Sequence, residues 1–245
     1  MPRYRVTLAY DGTAYRGWQA QPAAPTIQAT IESALARLAK EPVRVVGAGR
    51  TDAGVHAHGQ VAHFVLPHPI PPDALARGLN ALLPFDVRCL DAATAPDDFH
   101  ARKSARSKTY RYFLDRAPVP TPFRVRFTLH HPYPLDRDAI ENAASAFIGR
   151  KDFAAFSASA SEARTTVRHV TVSRFLDEGG ELVYEVAADG FLHHMVRNIV
   201  GTLLEVGRGK LSAGDVARIL ASRERGRAGP TAPARGLHLM RVEYD

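Results

Sequence analysis

The order of predicted elements indicates an α/β (α+β) fold, with a mixed, largely antiparallel sheet and helices on one face. Segments that alternate polar and apolar residues recur between segments with helical spacing. The second part of the chain repeats this order closely enough to resemble a duplicated α/β unit. Strands that are neighbours in sequence tend to pair, which favours antiparallel ladders. The 245 residues suffice for two halves, 1–104 and 105–245, with an active cleft between them.

The first half begins with a strand and a capped helix. Residues 3–10 alternate in polarity, and the strand ends at Asp11-Gly12. Thr26 can cap a helix whose apolar residues recur every three or four positions. The remaining predicted elements are strands at 43–46 and 60–66, a helix opened by Pro71 and running through Leu83, and a strand at about 86–95.

The second half begins with a strand at 107–115, followed by a Pro-rich linker or excursion at 117–134. The turn 178–180 separates two strands. The predicted elements after the Pro-rich segment are a helix at 136–147, strands at about 165–176 and 181–188, helices at 192–205 and 212–221, and a closing strand near 237–243.

Composition limits the class of protein. Apolar residues make up 45% and charged residues 23%, which is ordinary for a globular protein. The one cysteine, Cys89, excludes an intrachain disulfide and a cysteine-based metal cluster. No apolar run reaches transmembrane length, and the N-terminus is a strand pattern rather than a signal peptide. We therefore expect a cytoplasmic protein without membrane contact.

The net charge of +7 is concentrated in one stretch. Residues 101–126 contain eight Lys or Arg against Asp115 alone, whereas the rest of the chain is balanced. Such a run is usually a solvated face. Here it is interleaved with aromatic residues, which suits a nucleic acid whose bases can stack. The candidates for contact with an RNA backbone are Arg102, Lys103, Arg106 and Lys108.

The stretch 47–56, Gly-Ala-Gly-Arg-Thr-Asp-Ala-Gly-Val-His, carries the main candidate for catalysis. Three glycines in eight residues exclude a regular helix or strand, so Asp52 lies on a loop between two strands. Reacting groups are often presented in this way. Asp52 occupies the position where a dinucleotide-binding loop needs a glycine, and its charge would repel a phosphate. The alternative is that Asp52 only caps a turn and pairs with Arg50.

Two other stretches carry candidate residues. Residues 108–113 alternate on a strand, with Tyr110 and Lys108 on the same face. On the helix 192–205, the residues His194, Arg197, Asn198 and Gly201 share one face, and Gly201 permits another backbone to approach closely. Eleven histidines lack zinc-site spacing, and no nucleophile elbow is present, so neither a metal site nor a serine hydrolase is expected.

These motifs resemble the TruA family of tRNA pseudouridine synthases, and the resemblance covers nearly the whole chain. It includes residues 10–19, the Asp52 stretch, the strand 108–113, the helix 191–201 and residues 232–237. It implies the pseudouridine synthase fold with a basic cleft. It also implies isomerisation of uridines 38, 39 and 40 in the anticodon arm of tRNA, by a homodimer without a cofactor.

The resemblance also assigns roles to residues. Asp52 is the catalytic carboxylate, Tyr110 stacks on the target base, and Arg197 pairs with the carboxylate and keeps it ionised. We expect Arg50 to fill the space of the flipped base. Whether Asp52 attacks C6 or C1′, or first removes a sugar proton, stays open. The alternative is a non-catalytic RNA-binding module of duplicated α/β units, with a nucleotide-dependent enzyme a distant third.

Overall fold

The computed structural model describes residues 1–158 and 164–245. Within these residues the chain forms ten β-strands and five α-helices, which separate into two compact units. Unit 1 comprises Met1–Arg106 and His238–Asp245, and unit 2 comprises Ser107–Leu237. No helix in the described part of the chain is both long and apolar enough to cross a membrane.

Unit 1 is a sheet with two helices. Its strands lie in the order β4-β1-β3-β10, with β2 also paired to β3. The pairs β1–β3, β1–β4 and β2–β3 are antiparallel, and β10 runs parallel to β3. The elements are β1 (Arg3–Tyr10), α1 (Ile27–Ala39), β2 (Val46–Gly47), β3 (His56–Val65), α2 (Pro72–Leu82), β4 (Val87–Ala95) and β10 (Leu237–Glu243).

In its described residues, unit 2 contains five strands and three helices. Its strands lie in the order β5-β9-β8-β7 through antiparallel pairs, and β6 pairs with β5 in parallel. The elements are β5 (Ser107–Asp115), β6 (Leu129–His130), α3 (Arg137–Ser145), β7 (Gly149–Asp152), β8 (Val167–Glu178), β9 (Glu181–Ala188), α4 (Met195–Gly207) and α5 (Ala213–Ser222). The predicted α/β class with mixed, largely antiparallel pairing is confirmed.

The local signals explain most elements. Alternate residues of β1 are buried, as the polarity pattern requires. The Thr26 hydroxyl accepts the Ala29 N–H and caps α1, while Ser212 and Asp215 form a capping box on α5. The division at residue 104 placed the last strand in the second half, whereas His238–Asp245 belong to unit 1 because β10 pairs with β3.

Three predicted boundaries were wrong by three residues or more, and one of them is the strand predicted at 60–66, which begins at His56. The segment 43–46 forms a strand only at Val46, because side chains of α1 bind the backbone of Val45: Glu32 accepts its N–H at 2.9 Å and Gln28 donates to its carbonyl at 3.1 Å. The helix predicted from residue 192 begins at Met195, because His194 has a left-handed backbone with φ 61°. His194 therefore does not share the helix face with Arg197. The short strands β6 and β7 were not predicted.

Candidate active site

In unit 1, Asp52 lies half-buried on the loop that joins β2 to β3. The loop is fixed by backbone hydrogen bonds to the segment after β1. The Trp18 N–H donates to the Thr51 carbonyl at 3.0 Å, and the Gly54 N–H donates to the Tyr15 carbonyl at 3.3 Å. Within the loop, the Val55 N–H donates to the Asp52 carbonyl at 3.1 Å. These bonds place the Asp52 backbone in one conformation.

Two glycines allow this close packing. A Cβ atom on Gly12 would lie 2.0 Å from the Val55 carbonyl oxygen, and one on Gly17 would lie 2.6 Å from the Thr51 carbonyl oxygen. Gly17 also has φ +92°, a backbone conformation that is strained for a residue with a side chain. Residues 12–17 therefore lie directly against the backbone of the Asp52 loop. Gly12 and Gly17 thus allow this segment to hold the loop in position.

The side chains of Tyr10 and Gln60 also hold the loop in position. The hydroxyls of Tyr10 and Thr51 are hydrogen-bonded at 2.9 Å, and the Gln60 amide donates to the Gly49 carbonyl at 2.9 Å. Burial raises the pKa of the Tyr10 hydroxyl to about 12, so this group stays protonated at neutral pH. The loop thus rests on neutral, hydrogen-bonded groups of β1 and β3.

Arg50 lies on the same loop as Asp52 and is exposed. Its Nε–H donates to the Gln19 side-chain oxygen at 3.1 Å, and the Gln19 amide donates to Gln28 of α1 at 2.7 Å. The orientation of Arg50 is therefore tied to α1 through two glutamines. This chain of contacts was not predicted, because it joins polar residues that no periodic pattern distinguishes.

In unit 2, Tyr110 lies on β5 opposite Val186 of β9. Its side chain is 7% exposed and its ring meets Phe191 edge to face, with 5.0 Å between centroids. Phe191 immediately precedes the segment that leads into α4. The aromatic pair restrains the Tyr110 ring, which is a condition for presenting one face to a planar ligand.

Arg197 lies in the first turn of α4 and is half-buried. Its Nε–H donates to the Ala232 carbonyl at 2.7 Å, and the Ala232 N–H donates to the Arg197 carbonyl at 3.1 Å. The predicted close approach at Gly201 is confirmed, since a Cβ atom there would lie 1.6 Å from the Pro230 carbonyl oxygen. Residues 230–232 thus pack directly on α4.

A buried polar network holds this segment in place. The Asn198 side-chain oxygen accepts hydrogen bonds from Arg225 at 2.9 Å and from Thr231 at 2.7 Å, and its amide donates to the Phe156 carbonyl at 2.7 Å. Arg225 also donates to the Gly229 carbonyl at 3.0 Å. Sequence reasoning did not predict that Arg225 and Thr231 hold this segment in place. The sequence sign of this segment was the presence of Gly and Pro residues between Arg225 and Thr231.

The predicted RNA-backbone residues lie in different surroundings. Arg102 and Lys103 are exposed on a turn in unit 1 whose backbone N–H groups donate to His100 at 3.2 and 3.3 Å. Arg106 forms an ion pair with Asp245. Lys108 is half-buried on β5 in unit 2.

Part of the basic run has acidic partners. Arg111 binds Glu185 at 2.8 Å and Glu178 at 2.9 Å, and Arg124 binds Glu181 through two hydrogen bonds. Although burial acts in the opposite direction, hydrogen bonds from Arg174 and Arg111 hold the pKa of Glu185 below its ordinary value. The run 101–126 is therefore not a continuous set of cations available to a polyanion.

Comparisons with known proteins agree with the motifs. A family model described as tRNA pseudouridine synthase matches residues 7–102 and 143–245. The chain is 49% identical to a tRNA pseudouridine synthase A of Syntrophotalea carbinolica, over 98% of this chain and 95% of that protein. It is 48% identical to one of Myxococcus xanthus, covering 100% and 92% of the two chains, and 47% identical to one of Moorella thermoacetica, covering 100% of both.

Proposed function

The chain belongs to the tRNA pseudouridine synthase family, and from this membership we propose that it isomerises uridine to pseudouridine at positions 38, 39 and 40 of tRNA. The substrate is the anticodon stem-loop, and Asp52 is the catalytic carboxylate. The observation that carries the proposal is the loop of Asp52, fixed by backbone hydrogen bonds from Trp18 and Gly54. A preorganised carboxylate is what covalent or proton-transfer chemistry at a flipped nucleotide requires.

The reaction balances without an added reagent. The N1–C1′ bond breaks, the uracil rotates, and C5 bonds to C1′. C5 then loses its proton, and N1 carries one in the product. No electrons enter or leave, so no redox cofactor is needed. A carboxylate can serve as a nucleophile toward C6 or C1′ or as a base toward a sugar proton, and it is regenerated in each case.

The other residues act on binding and orientation. The target uridine must leave the stack at a cost of a few kcal/mol, which contacts in the site have to offset. Tyr110, restrained by Phe191, stacks on the flipped base, and Arg50, oriented through Gln19, fills the space it vacates. The proposed role of Arg197, to favour the ionised carboxylate, comes from the family resemblance and is supported by its fixed place on α4.

Two further properties belong to the proposal. We expect the chain to act as a homodimer, which sedimentation of the purified protein will test. We also expect the basic residues Arg102, Lys103, Arg106 and Lys108 to contact the RNA backbone, with the charge of Arg106 partly offset by its exposed ion pair with Asp245.

The deciding experiment compares wild type with Asp52→Asn on an unmodified tRNA transcript. The substitution keeps the shape of the side chain and removes its charge, so tRNA binding should persist while pseudouridine formation stops. Asp73→Asn, an exposed carboxylate at the start of α2, is the matched control and should stay active. Turnover by pure Asp52→Ala protein would exclude Asp52 as the catalytic group. A wild type that binds tRNA without forming pseudouridine would indicate an RNA-binding module.

A further inference from the structure

Phe85 exposes almost its whole ring to solvent. The side chain is 96% exposed, and it stands on the turn between α2 and β4 in unit 1. A single exposed apolar residue is common on protein surfaces and is not an argument for a site. The surroundings of Phe85 make it unusual, because an arginine lies beside its ring and the turn is hydrogen-bonded to the segment that supports the Asp52 loop.

Arg88 fixes the turn and lies beside the ring. Its NH1 group donates to the carbonyls of Leu83, Pro84 and Val87 at 3.2, 2.7 and 2.8 Å. Its guanidinium carbon lies 5.0 Å from the centroid of the Phe85 ring. The turn therefore loses little conformational freedom when a ligand binds, which favours affinity.

A chain of hydrogen bonds joins this turn to the Asp52 loop. Next to Phe85, Asp86 accepts the Tyr15 hydroxyl at 2.8 Å, and its carbonyl accepts the Asp11 N–H at 2.9 Å. The Tyr15 carbonyl in turn accepts the Gly54 N–H at 3.3 Å. Burial, and next the contact with Asp86, raise the pKa of the Tyr15 hydroxyl, so it remains a donor at neutral pH. Phe85 is thus held in a fixed relation to Asp52 within unit 1.

The chemistry of this surface suits single-stranded RNA. Arg16 is exposed on the connecting segment, and exposed Arg50 is attached to the far end of that segment through Gln19. A flat ring offers stacking to any base, and neighbouring arginines bind the phosphates on either side of it. A protein partner would favour a continuous apolar patch rather than one ring among charged neighbours.

We infer that Phe85 is a stacking platform for an unpaired base of the tRNA substrate, with Arg88 and Arg16 beside the adjoining phosphates. The inference rests on the proposed function and adds an RNA contact outside the basic run 101–126. The base is a different one from the target uridine, for which Tyr110 is proposed.

The test measures affinity for an unmodified tRNA transcript at fixed salt. One stacked base is worth about 1–3 kcal/mol, so Phe85→Ala should weaken binding about 5- to 150-fold. Phe85→Leu should lose as much, because it keeps an apolar side chain without a π-face, whereas Phe85→Trp should bind like wild type. Leu90→Ala, which removes an exposed apolar side chain of β4, is the control and should leave affinity unchanged. Thermal unfolding verifies that each variant is folded.

The outcomes separate this inference from the proposed function. Equal affinities for wild type, Phe85→Ala and Phe85→Leu would overturn the platform, as would a Leu variant that binds like wild type. If tRNA affinity is unchanged while Phe85→Ala loses self-association in sedimentation, the ring belongs to a contact between copies of the chain. Absence of pseudouridine formation by wild type would instead refute the proposed function, whatever the Phe85 series shows.

Discussion

Arg197 and Ala232 are joined by two hydrogen bonds in opposite directions, from the Arg197 side chain to the Ala232 carbonyl and from the Ala232 N–H back to the Arg197 carbonyl. This reciprocal pair makes the first turn of α4 and the segment 230–232 one rigid element. The direction of the Arg197 guanidinium therefore depends on residues distant in sequence. A substitution at another residue that displaces this segment should therefore also displace the Arg197 side chain.

Gly201→Ala provides that change. The new Cβ atom would lie 1.6 Å from the Pro230 carbonyl oxygen, so the segment must move away from α4. Overpacking of this kind costs about 1–3 kcal/mol or more, and we expect a loss of that size in the free energy of unfolding. The rate of pseudouridine formation should fall further than the folded fraction explains. Gly226→Ala is the matched control, because an added Cβ atom there would meet nothing within 4 Å apart from its neighbours in the chain, and an equal effect of both changes would contradict the argument.

Substitutions of Tyr110 should separate stacking from proton transfer. Tyr110→Ala removes the ring and should weaken tRNA binding about 5- to 150-fold, since a stacked base is worth about 1–3 kcal/mol. Tyr110→Phe keeps the ring and its edge-to-face contact with Phe191, so binding should match wild type. If the hydroxyl carries the C5 proton, the Phe variant should release tritium from 5-tritiated uridine more slowly. Identical affinity and single-turnover rates for all three proteins would show that Tyr110 does not contact the base.

The salt dependence of tRNA binding should distinguish exposed cations from paired ones. Each phosphate contact on single-stranded RNA contributes about −0.7 to the slope of log K against log salt concentration. Replacing Arg102 and Lys103 with Ala should therefore flatten the slope. Arg124→Gln removes a cation of the same basic run that is bound to Glu181, and it should leave the slope unchanged. If the Arg124 variant flattens the slope and the double variant does not, the RNA follows another path.

The ion pairs of Glu185 should make unit 2 sensitive to acid. The Glu185 carboxyl has a lowered pKa in the folded protein, so the unfolded chain takes up this proton first as the pH falls. The contribution of Glu185 is complete above the ordinary pKa of about 4.5 and is lost below it, as the pH approaches the lowered value. Urea unfolding at pH 7, 5 and 4 should show a smaller pH-dependent loss for Glu185→Gln. Parallel curves for both proteins would contradict this assignment.

Local patterns predicted most of the fold because alternation and capping act over a few residues. The strands 3–10, 107–115 and 237–243 were predicted at their observed bounds for this reason. The segment around Val45 was mistaken for a longer strand, because its backbone partners are side chains of α1 rather than a neighbouring strand. His194 was mistaken for a helical residue because helical spacing carries no sign of a left-handed backbone.

The candidate site was predictable only in part. The Asp52 loop stands out in sequence through its glycines, but the bracing by Tyr15 and Trp18 depends on hydrogen bonds between backbones. The partners of Arg111 and Arg124 come from β8 and β9, so a count of charges along the chain could not show that they are neutralised. Pairings between residues far apart in sequence follow from topology rather than from local composition.

The parallel pairing of β10 with β3 has a consequence for how the protein folds during synthesis. His238 lies opposite His56, at the start of the strand that follows the Asp52 loop. While the ribosome is still translating the residues before β10, the start of β3 that pairs with β10 is not yet covered, and strands of other chains can join it. All the strands of unit 2 are made before this edge is covered. The end of β3 that follows the Asp52 loop is therefore accessible to strands of other chains until β10 is made, and truncation before residue 237 should yield insoluble protein.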